Sequence, residues 1–536
     1  MARSRGMVLA NALLQRLDLD AAAAAELSTT NRLMPRRWDR LALVDRGPAI
    51  AGWLKGRYRR ERPGPPASIV FVDKNRKGMR PISEISLEDR VLYRALVTLI
   101  AESLPQELVN RPPIATFRES PLASPNARYI SKTDVSAYYE FLDHELLHDE
   151  LLAQTGEALA IEALMVLLER IMGRRVGLPQ VHKASDILGD TYIAPATRRL
   201  RRAGYDVYTF SDDFRIATAS LGAARNALEA CAAEVRTLGL VLNESKTYTY
   251  GKRNYRASLT AFSDAEGRLF DEDTELDGLR LFFESDYSDE DESVEPPLGL
   301  SGSEIEGVAD TDAIQESHTK DRTDDAVDEA QVRAATRAWE LWLEEDESDE
   351  VQSSQDAAIT ESLLSRSLPI LGTAGNTQPL EYMSAVLRFE PALTPQAAKY
   401  LVALGATGKA ARTAIRVQLD ALSREENFST WQKMWLVDAA GSIRRSTTQH
   451  EHYAWLVESV REGAPALAAT AAAALGRLGL SEELVVVGAL DRVGPSWRPL
   501  MLWGLALMDE SQAEANREDR LDQMVIEVAR SWFQQS

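Results

Sequence analysis

Hydrophobic positions change their period several times along these 536 residues. Up to about residue 60, apolar residues recur at helical spacing with Gly and Pro at the breaks, which predicts short helices. The run Arg62-Pro63-Gly64-Pro65-Pro66 ends that unit. Ser68 to Val72 then reads as a β-branched strand, Asp73 to Gly78 as a charged turn, and Arg80-Pro81-Ile82 as a second extended piece. From Ser86 onward, Leu87, Val91, Leu92, Ala95, Leu96 and Leu99 lie at helical spacing, and Ser86 with Asp89 forms an N-capping arrangement. Between Arg128 and Tyr250 short strands alternate with helices, an α+β pattern. Its strands are expected at Tyr129 to Val135, Val207 to Phe210, Phe214 to Ala217 across a tight turn, and Leu240 to Leu242.

After Ala357 the composition shifts to Ala and Leu, in stripes of about a dozen residues broken at Gly, Pro or Asn. Helices are expected at Leu380 to Phe389, Pro395 to Leu404, Ala410 to Leu422, Thr430 to Ala440, Pro465 to Leu478 and Pro499 to Met508. Successive amphipathic helices suggest an irregular HEAT-like repeat array, with a helical bundle as the alternative because no fixed period is evident. Four regions follow: N-terminal helices and an extended pair over 1–127, an α+β unit over 128–275, an acidic insertion over 276–355, and an all-α unit over 356–536.

Charge changes this picture in one respect. The net charge of −21 would argue against a phosphate-bearing partner, but it is not evenly spread. Residues 1–270 carry 39 Lys+Arg against 32 Asp+Glu, residues 271–350 carry 5 against 29, and the remainder carries 17 against 21. The acidity belongs to the insertion, which reads as a mobile linker or surface loop. The first half is mildly basic, with cations clustered between Lys55 and Arg80, as a nucleotide or nucleic-acid surface needs. The single cysteine, Cys231, excludes an intramolecular disulfide framework and a cysteine-based zinc site, and fits a cytoplasmic setting. No apolar run approaches the about 18 residues of a membrane span. Met1 to Asp20 reads as an amphipathic helix interrupted by Arg16, Asp18 and Asp20, not as a signal peptide.

Two places offer carboxylates at strand ends. Asp134 closes the run from Tyr129, and Asp212-Asp213 sits in the turn of Tyr208-Thr209-Phe210-Ser211-Asp212-Asp213-Phe214. Asp is common in hairpin turns. Carboxylates between apolar strands nevertheless cost solvation unless a cation compensates, and nucleotidyl transfer uses two divalent cations roughly 4 Å apart. His144-Glu145-Leu146-Leu147-His148 matches the H-E-x-x-H zinc pattern. It falls where a helix is expected after Asp134, and no third ligand follows at suitable spacing.

The order of segments resembles the reverse-transcriptase family. Arg80-Pro81-Ile82 with Leu87-Glu88-Asp89-Arg90-Val91 is similar to its fingers, and Asp134-Val135-Ser136-Ala137-Tyr138-Tyr139 to its first carboxylate motif. Gly177-Leu178-Pro179-Gln180 with Ser185-Asp186-Ile187-Leu188 is similar to its template and nucleotide loop, and Phe210-Ser211-Asp212-Asp213 to its aromatic-x-Asp-Asp hairpin. Gly239-Leu240-Val241-Leu242-Asn243 with Lys246-Thr247 is similar to the segment after that hairpin. The resemblance implies fingers and palm, a thumb remnant near the acidic insertion, and RNA-directed DNA polymerase activity on dNTPs with two Mg2+ or Mn2+ ions. It implies metal binding by Asp134, Asp212 and Asp213 with the carbonyl of Val135, and a general-acid role for Lys246. It further implies triphosphate contacts from Lys74, Lys77 and Arg80, a nucleotide contact from Gln180, and Tyr139 as the ring that excludes a 2′-hydroxyl, with Tyr138 packed into the palm. Where the family has Gly after Pro-Gln this chain has Val181, and a β-branched residue resists positive φ, so the loop is expected to depart from the family's path.

A palm followed by helices, with no nuclease segment evident, resembles the abortive-infection and defence-associated reverse transcriptases of bacteria. That resemblance implies RNA or DNA as template or product, a role against phage, and self-association through the repeats. The alternatives are a retron- or intron-type enzyme with a noncoding RNA, or a catalytically idle palm that binds nucleic acid. In the helical half, Trp431, Trp435 and Trp455 are candidate partner contacts, with burial as their competing role.

Overall fold

The structure is a computed structural model that describes residues 9–60, 66–74, 78–260, 329–346, 354–445 and 453–533. The N-terminal helices include Leu19–Ser28, which starts where the Asp18 carboxylate accepts from the Ala21 amide at 2.9 Å. Its buried face, Leu19, Ala23 and Leu27, packs on Gly47–Arg57 and on Leu87–Ala101. Glu26 is buried in that interface against Arg90 and Arg94. Arg37 and Arg40 meet Glu84 in a second buried ion cluster beside it.

Strands β1 (Ser68–Asp73) and β2 (Met79–Glu84) pair antiparallel, with Val70 opposite Ile82 and Val72 opposite Arg80. Val70, Val72 and Ile82 alternate into the core, whereas Ile69 and Phe71 face outward. The helix Leu87–Ala101 starts as the sequence predicts, its Asp89 amide donating to the Ser86 hydroxyl at 3.2 Å.

The main sheet comprises β3 (Tyr129–Asp134), β4 (Asp206–Phe210), β5 (Asp213–Thr218) and β6 (Tyr248–Gly251), in the order β4-β5-β3-β6, all antiparallel. Phe214 and Ile216, fully buried, share a core with Ile187, Ile193, Ala227, Cys231 and Val235 of the helices Lys183–Arg202 and Leu221–Thr237. The Cys231 thiol is pushed up to about 12 by burial. Asp213 and Arg215 alternate onto the opposite face with their cross-strand partners Asp134 and Lys132. One strand differs from the sequence reading. Leu240 to Leu242 makes only an isolated bridge, Val135 to Leu242, and the fourth strand is β6, six residues further on.

Part of the acidic region is also ordered differently from the reading as a linker. Residues 261–328 and 347–353 lie outside the described residues, but Glu329–Asp346 is a helix that buries Trp339 and Trp342 against Ser354–Thr373. Downstream, Ser354–Thr373, Thr394–Thr407, Thr430–Ser442, Pro465–Arg477, Arg498–Met508 and Arg520–Phe533 each pack on the next in chain order. Small residues set these crossings. A Cβ on Gly504 would lie 2.5 Å from the carbonyl of Ala472, and one on Gly476 would lie 2.5 Å from the carbonyl of Gly504.

The helical half is docked on the N-terminal part through tryptophans. Trp38 donates to Asp438 at 2.8 Å, and Arg477, which also binds Asp438 at 2.9 Å, stacks over the Trp38 ring at 3.9 Å. Trp497 donates to Ser68 at 3.0 Å and lies under Arg37 at 4.9 Å, while Trp431 donates to the Leu33 carbonyl. Trp431 and Trp435 are buried and Trp455 is half-buried, so the first two are packing residues.

Candidate active site

Antiparallel register brings the three acidic residues together. Asp213 is the direct cross-strand partner of both Asp134 and Phe210, so Ser211 and Asp212 form the two-residue tip of the β4–β5 hairpin. Tight turns of this length need positive φ, and Ser211 supplies it at 54°. The Val135 amide donates to the Asp212 carbonyl at 3.1 Å, locking the tip against the end of β3. On the other side of β3 the Asn243 amide donates to the Asp134 carbonyl at 2.8 Å. That bond starts the short turn Glu244–Lys246 and delivers the Lys246 ammonium to 3.4 Å from Asp134 Oδ2.

The carboxylates are not equivalent. Asp212 is half-buried at the tip and Asp134 is buried at its strand end. Asp213 is 2% exposed and forms an ion pair with Arg215, which is 4% exposed and lies 5.3 Å from the Phe117 ring. A charge inside the fold is thereby matched two residues along its own strand.

After β3 the chain turns at Ala137, φ 47°, and enters the short helix Tyr138–Phe141. Tyr138 is buried and donates to the Gly189 carbonyl at 2.6 Å. Tyr139 is half-buried, its hydroxyl 3.0 Å from Asp186 Oδ1 and 2.9 Å from Ser211 Oγ. Burial holds the Tyr139 phenol above its ordinary pKa, and Asp186 pushes the same way. The 177–182 loop lies alongside. Gly177, φ 93°, fits because a Cβ would lie 3.2 Å from the carbonyls of Tyr139 and Glu140. The Leu178 amide donates to the Tyr139 carbonyl at 2.7 Å, and Gln180 Nε2 reaches Glu140 Oε1 at 3.3 Å.

Val181 takes the conformation that its side chain resists. It adopts φ 63°, in the left-handed region that β-branched residues avoid. The loop is anchored firmly enough to impose this conformation, since His182 is buried beside Glu26 and Glu84. Burial there, with Arg90, drives the imidazole down to about 3.

The structure therefore brings together Asp134, Asp212, Asp213, Val135, Lys246 and Tyr139, with Gln180 next to Tyr139 through Glu140. Lys74 and Arg80 belong to the separate β1–β2 hairpin, and Lys77 lies outside the described residues. The H-E-x-x-H residues diverge: His144 is buried with Nε2 2.7 Å from the Gly177 carbonyl, whereas His148 pairs with its neighbour Asp149 at 3.0 Å. Among the described residues no three acidic or imidazole side chains converge as a closed metal site would require. Asp134 and Asp212 fit a different arrangement, in which magnesium takes one or two carboxylates and completes its shell with substrate oxygens and water. Sequence reading missed Arg215 and Arg111, and named Asp186 within a motif without giving it a role. Their signal is weak, because Arg111 reaches the carboxylates of Asp186 and Asp190 from more than 70 residues away.

Residues 72–257 match the family model described as reverse transcriptase (RNA-dependent DNA polymerase). No curated protein matches the chain. Among solved structures, telomerase from Candida tropicalis in complex with a TWJ fragment of telomeric RNA aligns at 11% identity over 73% of this chain and 67% of that one, with a TM-score of 0.26. From the end of β1 to just beyond β6, the part that carries the paired carboxylates, this chain is thus similar in sequence to the reverse transcriptases.

Proposed function

We propose that this chain is a reverse-transcriptase-like DNA polymerase that joins nucleotides from dNTPs at the Asp134–Asp212 site. One observation carries the reading: within the matched segment, β-sheet register sets Asp134 opposite the Asp212-Asp213 turn, with Lys246 at 3.4 Å. Two Mg2+ or Mn2+ ions, when bound by these carboxylates, would supply charge stabilisation to the transferred phosphoryl group. Asp134 and Asp212 would hold the ions, with the Val135 carbonyl as a third oxygen at the same strand end. Asp213, neutralised by Arg215, fixes the hairpin. Lys246 holds a proton at Nζ for the departing pyrophosphate. Gln180 contacts the incoming nucleotide, Tyr139 lies beneath the sugar, and Lys74, Lys77 and Arg80 meet the triphosphate. Primer extension in magnesium tests this reading: Asp212→Asn should abolish incorporation at unchanged folding, and wild-type rates in that variant would refute the assignment.

The helical half supports a narrower proposal. Its consecutively packed helices are a HEAT-like array that positions template or product and assembles copies of the chain, and the combination with a palm suits bacterial anti-phage defence. Phage plating on cells that express the wild type or Asp212→Asn tests it: equal plating on both would remove the defence role. Copurification of one defined structured RNA would instead favour the retron- or intron-type reading. Binding without incorporation would favour the idle scaffold.

A further inference from the structure

Behind Tyr139 lies a cluster that the proposed chemistry does not use. Asp186 and Asp190 occupy successive turns of the helix Lys183–Arg202, so two like charges share one face. Arg111, from the loop before Ile114–Ala123, compensates both. It pairs with the Asp190 carboxylate through Nε and through Nη2 at 3.0 Å, and with Asp186 Oδ1 through Nη1 at 3.3 Å. It also donates to the Asp186 carbonyl at 2.9 Å, and its guanidinium stacks 5.2 Å from the Phe210 ring. Phe210 is the last residue of β4, next to the Ser211-Asp212 tip. Arg111 therefore braces both the helix that carries Asp186 and the hairpin that carries Asp212.

The Tyr139 ring is fixed at both ends by this frame. Its hydroxyl is held by Asp186 and Ser211. Its body lies edge-on to Tyr138 at 5.4 Å and against Gly189, where an added Cβ would sit 3.6 Å from it. A ring that excludes a 2′-hydroxyl discriminates only while it cannot swing away, because the penalty on the wrong sugar is steric.

We propose that Asp186, clamped by Arg111, is a positioning residue that pins the Tyr139 ring and so sets how strongly the site rejects ribonucleotides. The proposal rests on the polymerase reading and on Tyr139 as the ring under the sugar. Asp186 touches no reacting atom and acts only through the phenol.

The test is the ratio of kcat/KM for dNTP over rNTP in primer extension with the full chain. Tyr139→Ala should remove discrimination. Tyr139→Phe, which keeps the ring and loses the contacts to both Asp186 and Ser211, should lower the ratio about tenfold, as expected when a hydrogen bond to a carboxylate is lost. Asp186→Ala, which leaves the Ser211 contact, should lower it by most of that factor, and the double variant Asp186→Ala/Tyr139→Phe no further than Tyr139→Phe alone. Asp186→Asn, which keeps an acceptor oxygen, should restore most of it. For the Asp186 variants the change should lie in ribonucleotide use, with deoxynucleotide kcat within about twofold. A wild-type ratio in both Tyr139→Phe and Asp186→Ala, alongside its loss in Tyr139→Ala, overturns the clamp and leaves the gate standing. An equal fall for both sugars with a lowered Tm makes Asp186 merely structural and also overturns the clamp. A full ratio in Tyr139→Ala overturns gate and clamp together, and no incorporation by the wild type overturns the polymerase reading with them.

Discussion

Asp212→Asn and Asp213→Asn make the same atom exchange at adjacent residues, yet the structure predicts a loss of stability for the second alone. Asp212 stands half-buried at the hairpin tip, where a neutral amide replaces it at a cost within about 0.5 kcal/mol. Asp213 is buried, and its loss of charge leaves the guanidinium of Arg215 inside the fold without its carboxylate. Breaking a buried pair on one side costs about 3–5 kcal/mol. The lower end applies, because Arg215 also donates to the Phe214 carbonyl at 3.1 Å, bonds the Tyr255 hydroxyl and lies against Phe117. For a segment the size of 72–257 melting as a unit, about 3 kcal/mol lowers Tm by roughly 6–12 °C. Differential scanning fluorimetry and urea titration of both variants should show that drop for Asp213→Asn alone. The double variant Asp213→Asn/Arg215→Met should regain part of it, since no guanidinium is then left buried without its carboxylate. Equal melting of the two single variants, or a double variant worse than Asp213→Asn, would refute the division of roles between the two aspartates.

Burial tends to raise the Glu26 carboxyl, but Arg90 and Arg94 outweigh it and hold the pKa at about 2. A pKa depressed from about 4.5 means stability present above pH 4.5 and lost as the pH falls toward 2, by about 3 kcal/mol, and urea titrations across that range should show a slope shallower by that amount in Glu26→Gln than in the wild type, Glu84 supplying a like slope in both. His182, depressed to about 3, adds a loss as the pH falls from 6.5, which His182→Gln should flatten. Gly504→Ala should cost about 2 kcal/mol by forcing apart the helices at Ala472, whereas Gly52→Ala, with nothing within 4 Å, should be neutral or stabilising by up to about 1 kcal/mol, both read as Tm. Tyr138→Ala should remove about 3–5 kcal/mol of folding stability, because the ring is buried and its hydroxyl bonds Gly189, and near-wild-type melting would show that Tyr138 is not a packing residue.

Much of the local structure was legible along the chain because local sterics and periodicity write it there. Ser86 caps its helix, the Phe210-to-Asp213 hairpin closes on two residues, and Trp431 and Trp435 fall on a helical stripe. The three acidic residues could be brought together on paper since a strand end and a hairpin tip are short-range features. Tertiary contacts decided the rest. β6 forms because the open edge of β3 accepts Tyr248–Gly251, and nothing in Leu240 to Leu242 shows that this piece makes only a bridge. Val181 takes a conformation its own side chain disfavours, since the buried anchor at His182 imposes it. Trp339 and Trp342 find a helix to pack on within an otherwise acidic region. Arg215 divides two adjacent aspartates into a structural one and an exposed one, and Arg111 reaches across more than 70 residues to hold the helix behind Tyr139. A sequence fixes which charges and which periods are present, but which charge is matched, and which ring is pinned, depends on groups that only folding brings within a few ångströms.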